Sequence, residues 1–267
     1  MVSAGRYLRC MTNTDITEQG SVTSAVADGI GVLTFRHPKG NSLPASLLAQ
    51  LAAEVSVLSA NADVRVITLQ SDGTGAFCAG ASFDELTRIA DADAGQTFFS
   101  GFGRVILAMI RSPKFIISGV QGRAAGGAVG LIAASDYCFA VRTASAKLSE
   151  LAVGLGPFVV GPVIEKKIGL SAFSGMAVDA DWRDAEWCER HGLYTRLCDT
   201  APDMRAAVGK LAATLAASNP DAMAELKRVF WEGTDQWDAL LSARARISGT
   251  MVLSEFTSKA IGAFRAR

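Results

Sequence analysis

Two stretches of small residues, 46 positions apart between Ala81 and Gly127, offer backbone amides rather than side chains for chemistry. The first contains Ala79 and Ala81, and the second runs from Gly126 and Gly127 into the small, apolar segment 128–135. We expect Gly127 at or near the start of a buried helix, where N–H groups are free and the macrodipole is positive. Two such turns, each leaving a strand and opening a helix, can direct two N–H donors at one oxygen, as acyl-transfer and enolate chemistry needs. Taken alone, each stretch is equally typical of a tight turn into a packed helix.

An acidic residue that can exchange protons, Glu150, follows the second stretch. A carboxylate close to a stabilised oxyanion can take a proton from carbon and return it elsewhere. The competing interpretation is a carboxylate at the surface or in a salt bridge. Asp84, Glu85 and Glu165 are further acids that could enter the same pocket.

The two stretches together resemble the crotonase (enoyl-CoA hydratase/isomerase) superfamily. The first reads Phe77-Cys-Ala-Gly-Ala-Ser82, where the family has Phe-x-Ala-Gly-Ala/Ser-Asp. The second reads Gly122-Arg-Ala-Ala-Gly-Gly-Ala128, where the family has Gly-x-Ala-x-Gly-Gly-Gly. The resemblance runs from about Val26 to the C-terminus. Either motif alone is a weak signal, whereas the pair in this order is a strong one.

The resemblance implies a crotonase-like (ClpP/crotonase) α/β spiral of ββα repeats with a C-terminal α-helical trimerisation region. The polar first 20 residues are expected to form a flexible leader. The resemblance divides the rest into a spiral core at 21–200 and a helical oligomerisation region at 201–267. It implies a homotrimer, or a hexamer built as a dimer of trimers.

Local patterns agree with such a spiral. Strands are expected at 22–26 and 30–35 around the turn signal Asp28-Gly29, and at 64–70 and 115–120. Apolar spacing predicts helices at 46–58, 83–89, 98–111, 158–168, 202–218, 220–231 and 235–264. The segment 91–95 is expected to interrupt the helical pattern, and a last short strand is expected after Tyr194.

The family's hydratases carry two glutamates, one six residues before an aspartate and one fourteen residues after it. Counted from Asp136, these positions hold Gly130 and Glu150, so only the second carboxylate is present. Hydration uses a base for water and an acid for the α-carbon, whereas moving a double bond needs one group that lifts a proton from C2 and returns it to C4. The resemblance implies that Δ3,Δ2-enoyl-CoA isomerases use a lone glutamate at this position. The sequence therefore favours isomerisation over hydration. Thioester hydrolysis, decarboxylation and a non-catalytic subunit that binds CoA or acyl carrier remain open.

The resemblance also implies a set of residues around an acyl-CoA substrate. The N–H groups of Ala81 and Gly127 would form the oxyanion hole beside Glu150. Substrate contacts are expected from Asn41, Leu43, Ala79, Phe83, Gly126, Gly130 and Pro157. Lys39 would meet a CoA phosphate or remain solvated, and Phe98, Phe99 and Phe102 would line an acyl pocket or belong to the core. Lys259, Phe264 and Arg265 fall where the family's C-terminal residues often touch the nucleotide.

Composition restricts the partners. Lys plus Arg and Asp plus Glu both number 26, so charge gives no case for nucleic acid or for an anionic membrane. The five cysteines form no Cys-x-x-Cys pair, so we expect no metal site, and their scattered spacing favours the cytoplasm. Neither His37 nor His191 belongs to a Ser-His-Asp pattern. Coenzyme A is expected as part of the substrate, with no separate cofactor.

Overall fold

The computed structural model describes residues 19–265, without the side chains of Phe264 and Arg265. The predicted leader at 1–20, apart from its last two residues, therefore lies outside the described residues, as do Cys10 and the proposed nucleotide contacts of Phe264 and Arg265.

Nine strands form two sheets in the described part of the chain. The strands are β1 (Ser21–Ala27), β2 (Ile30–Arg36), β3 (Val66–Ser71), β4 (Ile116–Val120), β5 (Ala124–Ala125), β6 (Tyr137–Val141), β7 (Ser145–Lys147), β8 (Arg183–Asp184) and β9 (Arg196–Cys198). The larger sheet has the order β1-β2-β3-β4-β6-β9, and the smaller has the order β5-β7-β8. In the larger sheet only β1 and β2 pair antiparallel, and the other strands follow in parallel.

The hairpin between β1 and β2 is the one that the sequence predicts. Asp28 and Gly29 both have positive φ angles, 51° and 77°, as the tightest hairpin turns require. Each parallel pair beyond it needs a crossover, and helices provide the longer connections.

The helices are α1 (Ala45–Ala60), α2 (Phe83–Leu86), α3 (Ala92–Arg111), α4 (Gly127–Ala133), α5 (Gly161–Asp179), α6 (Ala185–Arg190), α7 (Ala201–Ala216), α8 (Pro220–Phe230), α9 (Trp237–Met251) and α10 (Glu255–Arg265). The prediction of a buried helix starting at Gly127 is confirmed, since α4 begins there and all of its residues are buried. No helix in residues 19–265 combines the length and apolar content needed to cross a bilayer.

Several helix predictions were wrong in their limits. The predicted helix 83–89 ends at Leu86, and the interruption predicted at 91–95 lies at 87–91 instead, because the Asp91 carboxylate accepts a hydrogen bond from the Ala94 N–H at 2.7 Å and caps the start of α3. The predicted helix 235–264 is two helices, separated after Met251. The Ser254 hydroxyl accepts from the Thr257 N–H at 3.2 Å and opens α10.

The C-terminal helices pack onto the core of their own chain. Helix α7 covers the larger sheet along β3, β4, β6 and β9, and α9 packs along α3. Gly95 and Gly249 let these two helices approach closely, because a Cβ on Gly95 would lie 2.5 Å from the Gly249 Cα. The division into 21–200 and 201–267 stays a prediction.

Candidate active site

The first small-residue turn is held by a short parallel pairing with the loop before α1. The Leu43 N–H donates to the Gly80 carbonyl at 2.8 Å, and the Ser82 N–H donates to the Leu43 carbonyl at 3.3 Å. Pairing through Gly80 and Ser82 leaves the Ala81 N–H on the opposite side of the chain. Within residues 19–265 no acceptor is found for it.

The second turn leads directly into α4. Gly126 has a φ of 54°, which favours glycine, and its N–H donates to the Lys147 carbonyl at 2.8 Å. Gly127 is the first residue of α4, so its N–H has no carbonyl acceptor within the helix. A Cβ on Gly127 would lie 2.1 Å from Cε1 of Phe102, so a larger residue has no room.

Hydrogen bonds join the two turns side by side. The Cys78 N–H donates to the Arg123 carbonyl at 3.2 Å, and the Ala125 N–H donates to the Cys78 carbonyl at 3.0 Å. A Cβ on Gly80 would lie only 2.7 Å from the Ala125 carbonyl oxygen. The backbone that carries Ala81 therefore lies against the backbone that leads to Gly127.

The smaller sheet brings Glu150 to the second turn. Strand β7 pairs with β5 and ends three residues before Glu150. A Cβ on Gly126 would lie 3.2 Å from Oε1 of Glu150, so the carboxylate occupies the space beside this glycine. Oε2 is buried and has no hydrogen-bond partner among the described residues.

Burial raises the pKa of the Glu150 carboxyl to about 7, and the backbone N–H groups of Glu150 and Ser149 act in the opposite direction. The group can therefore be charged or neutral near pH 7, which is the property of an acid or base that must both accept and donate a proton.

The space of the missing carboxylate is filled by apolar side chains. A Cβ on Gly130 would lie 2.6 Å from Cγ1 of Val160 and 3.4 Å from Cδ1 of Ile106. Gly130 itself is buried and contributes no atoms to the surface of the cavity beside Glu150.

Two connected cavities meet at the turns. The inner cavity, of about 70 Å³, is bounded by Ala81, Gly127 and Glu150. The outer cavity, of about 680 Å³, carries Lys39, Arg123 and Lys147 on its walls. Ala79, Ala81, Phe83, Ser149 and Val153 border both cavities.

The structure gathers most of the predicted site residues at these cavities. The inner cavity is bordered by Ala79, Ala81, Phe83, Gly126, Gly127, Glu150 and Pro157. Phe99 and Phe102 also border it, whereas Phe98 packs edge-on against Phe99 at 5.3 Å and does not.

Asn41 and Leu43 border neither cavity. The Asn41 side chain donates to the carbonyls of Asp72 and Ala76, both at 3.0 Å, and accepts from the His37 N–H at 2.9 Å. These hydrogen bonds tie the loop before α1 to the loop that precedes the first turn. Leu43 is fully buried and holds that turn through its backbone.

The alternative acids lie elsewhere. Asp84 is on the outer cavity and forms an ion pair with Lys39. Glu85 accepts from the Ala45 N–H at 2.7 Å, and Glu165 is exposed on α5. Neither Glu85 nor Glu165 borders the inner cavity.

An aromatic and basic cluster on the outer cavity was not predicted. The Arg123 guanidinium lies 5.3 Å from the ring centre of Trp182, and the Lys147 ammonium lies 5.9 Å from it. Arg123 immediately precedes β5, Lys147 is the last residue of β7, and Trp182 immediately precedes β8, so no contiguous motif marks them. Among the described residues, no group of three or more His, Cys, Asp or Glu side chains is arranged to hold a metal ion.

Comparison with known proteins decides the family. The sequence model of enoyl-CoA hydratase/isomerase matches residues 25–262. The chain belongs to this family. Human mitochondrial methylglutaconyl-CoA hydratase is 28% identical over 212 residues, which are 78% of this chain and 62% of that protein. The chain thus matches less than two thirds of the length of this relative.

Other members of the enoyl-CoA hydratase/isomerase family match over nearly the full length. A probable enoyl-CoA hydratase of Rhodobacter capsulatus is 26% identical over 248 residues, covering 90% of this chain and 92% of that one. The crystal structure of an enoyl-CoA hydratase from Bacillus halodurans superimposes with a TM-score of 0.84 at 18% identity, covering 91% and 99% of the two chains. The crotonase-like fold is confirmed, and the family is one of enzymes.

Proposed function

We propose that this protein is an acyl-CoA enzyme that stabilises a thioester enolate and uses Glu150 as its single acid and base, with double-bond isomerisation as its reaction. One observation carries the proposal: Glu150, whose buried carboxylate lies beside Gly126, lines the same inner cavity as the turn residues Ala81 and Gly127. The N–H groups of these two residues have no acceptor among the described residues.

The proposed first step is removal of a proton from C2 of a 3-enoyl thioester by Glu150. The electron pair of the broken C–H bond delocalises onto the thioester oxygen, which accepts hydrogen bonds from the Ala81 and Gly127 N–H groups. Such donors stabilise the charge that develops in the transition state.

In the second step, Glu150 returns the same proton to C4, and the double bond moves from C3–C4 to C2–C3. One carboxylate completes the cycle and is regenerated. A pKa of about 7 allows both halves at neutral pH, because neither protonation state of Glu150 is strongly favoured.

The outer cavity is assigned to the coenzyme A part of the substrate. Lys39, Arg123 and Lys147 offer positive charge for its phosphates, and the exposed ring of Trp182 offers a stacking surface for its base. Lys259 is paired with Glu255 on α10 and does not border this cavity. Coenzyme A enters and leaves as part of the substrate, so the reaction needs no separate cofactor.

Hydration is the second candidate, because the relatives named above are hydratases. It would require Glu150 to activate water and then to protonate the α-carbon. Val160 and Ile106 fill the space beside Gly130, so no second carboxylate shares this work from that position. This is why we place isomerisation first.

A trimer and a cytoplasmic location complete the proposal. Exposed apolar side chains on the C-terminal helices, including Phe230 of α8 and Phe256 of α10, support burial against other copies of the chain. The four cysteines of the described part are free thiols, as expected in a reducing compartment.

Product analysis with a panel of CoA thioesters tests the reaction. We expect conversion of short 3-enoyl-CoA to 2-enoyl-CoA to exceed hydration of 2-enoyl-CoA. Faster hydration would replace isomerisation by the second candidate. Release of free CoA or of carbon dioxide would indicate thioester hydrolysis or decarboxylation, and tight CoA binding with no turnover would indicate a non-catalytic subunit.

A further inference from the structure

We infer that the acyl group of the substrate is short, apolar and uncharged, with about four to six carbons, and that acyl groups carrying a second carboxylate are rejected by the inner cavity. The inference rests on the proposed function, since it assumes that the thioester carbonyl lies at Ala81 and Gly127. It concerns which acyl groups fit and not which reaction follows.

The walls of the inner cavity are chemically uniform. Aromatic rings of α3 and aliphatic side chains of the segment before α5 cover it, with Phe102 and Val160 facing it from these two sides. The polar side chains on it are Ser149, Glu150 and Ser248. No Lys, Arg or His from the described part of the chain borders it.

A second carboxylate would therefore enter without a counter-ion. Removing an ionised carboxylate from water is costly unless it is paired. It would also lie near Glu150, whose Oε2 already lacks a donor within residues 19–265. Two carboxylates close together in a water-poor site disfavour each other's charged forms.

Ser248 does not compensate for the missing counter-ion. Its hydroxyl group is directed to the Arg244 carbonyl, to which it donates at 3.4 Å within α9. It is buried, so it has little freedom to turn toward a ligand. The cations at the site, Lys39, Arg123 and Lys147, border the outer cavity instead.

The volume of the inner cavity limits the acyl length. About 70 Å³ holds roughly five to seven water-sized groups, at 10–15 Å³ for each. With the thioester carbonyl at the Ala81 and Gly127 N–H groups, as the proposed function assumes, the lower of these figures accommodates C2 to about C6. The glycine at 130 adds no depth, because Val160 and Ile106 already occupy the space beside it.

Binding of saturated thioesters tests the inference without turnover. Pentanoyl-CoA and glutaryl-CoA both have five acyl carbons and differ by a terminal methyl against a terminal carboxylate. By titration calorimetry at pH 8, we expect pentanoyl-CoA to bind at least tenfold more tightly than glutaryl-CoA. We expect hexanoyl-CoA to bind more tightly than decanoyl-CoA. Equal or reversed affinities of pentanoyl-CoA and glutaryl-CoA would contradict the rejection of a second carboxylate. Equal or reversed affinities of hexanoyl-CoA and decanoyl-CoA would contradict the limit on acyl length.

A matched pair of variants on helix α3 tests whether its aromatic side chains form the wall of the acyl site. Phe99→Leu enlarges the inner cavity, whereas Phe98→Leu alters the neighbouring ring that does not border it. We expect Phe99→Leu to raise the affinity for octanoyl-CoA relative to pentanoyl-CoA severalfold, and Phe98→Leu to leave this ratio unchanged. An unchanged ratio in Phe99→Leu, or equal changes in both variants, contradicts the assignment of the cavity as the acyl site.

The failures of the two proposals are distinguishable. If the protein binds short, uncharged acyl-CoA more tightly but turns over no enoyl-CoA, the proposed reaction is refuted and the inferred acyl preference stands. If the protein efficiently isomerises an enoyl-CoA whose acyl group carries a second carboxylate, the inferred acyl preference is refuted and the proposed reaction stands.

Discussion

Asp136 and Glu150 are carboxylates fourteen residues apart, and the fold treats them in opposite ways. The buried Asp136 side chain is 2.8 Å from the Lys227 ammonium, accepts from the Ile116 N–H at 2.7 Å and accepts from the Trp231 indole at 3.4 Å. Glu150 has a buried oxygen with no partner in the described part of the chain. Desolvation raises the pKa of Glu150, whereas it lowers the pKa of Lys227.

The difference separates a structural carboxylate from the one that we propose as the acid and base. A buried charge whose hydrogen-bonding capacity is satisfied fixes the positions of the elements that carry its partners, here β4 and α8 with its C-cap residue Trp231. A carboxylate left unpaired costs stability, and in a cavity this is typical of a functional site. The contrast predicts opposite responses to removal of charge in the two regions.

The largest change in stability is expected at the paired region. Lys227→Met leaves Asp136 buried without its counter-ion, so we expect the free energy of unfolding to fall by about 3–5 kcal/mol. Urea denaturation measures it. Lys166→Met is the matched control, because the Lys166 side chain is exposed and donates to the exposed Glu232 carbonyl at 3.1 Å. A loss below about 1 kcal/mol in Lys227→Met would contradict the structural role of the pair.

The next effect is expected at Gly130. Gly130→Ala forces a methyl group against Val160, and overpacking of this kind costs about 1–3 kcal/mol. Adding Val160→Ala should relieve the clash. In urea denaturation we expect the double variant to lose less unfolding free energy than the two single variants lose together, by more than about 0.5 kcal/mol. Strict additivity would mean that the two residues do not compete for space.

Glu150→Gln should stabilise the protein, in contrast to Lys227→Met. The folded pKa of about 7 lies above the unfolded value of about 4.3, so the wild type loses stability as pH rises from about 4.3 to 7. Glutamine cannot ionise, so we expect the variant to be about 1–2 kcal/mol more stable at pH 8 and equally stable at pH 4. Thermal melts at both pH values measure the difference.

The exposed Glu165→Gln on α5 is the control for this pH series. We expect the stability difference between Glu165→Gln and the wild type to be the same at pH 4 and pH 8. A Glu150→Gln variant that is less stable than wild type at pH 8 would show that its carboxylate is paired, contrary to the structure.

The smallest effect on stability is expected at Lys39. Its ion pair with Asp84 is exposed, and such pairs contribute about 0–1 kcal/mol. Lys39→Met should therefore leave the melting temperature nearly unchanged while raising KM for CoA thioesters severalfold with kcat unchanged. Lys210→Met, exposed on α7, should change neither. An unchanged KM in Lys39→Met would remove Lys39 from the substrate site.

The sequence predicts those features that depend on backbone and on spacing along the chain. The start of α4 at Gly127 follows from two glycines before an apolar run. Glu150 is implied by the family resemblance, in which a glutamate lies fourteen residues after the aspartate that corresponds to Asp136. The start of α3 is missed because Asp91 resembles a helix interruption, although its side chain caps the helix. The break after Met251 is missed because the apolar pattern continues through it.

Features assembled from distant segments could not be predicted in the same way. The family resemblance implies a substrate contact at Asn41, but hydrogen bonds to the carbonyls of Asp72 and Ala76 use its side chain. The cluster of Arg123, Lys147 and Trp182 exists only because the smaller sheet brings three separate segments together. Val160 fills the space beside Gly130 for the same reason, since contact across the fold leaves no local signal.

The most direct test of the account compares wild type and Glu150→Gln in the conversion of a short 3-enoyl-CoA to 2-enoyl-CoA between pH 5 and pH 9. We expect kcat/KM of the wild type to rise with pH through about 7, because the free enzyme must hold Glu150 as the base. In Glu150→Gln we expect a loss of about 10²–10⁴-fold, with a melting temperature at least as high as that of the wild type. A variant that isomerises as fast as the wild type would contradict the role of Glu150.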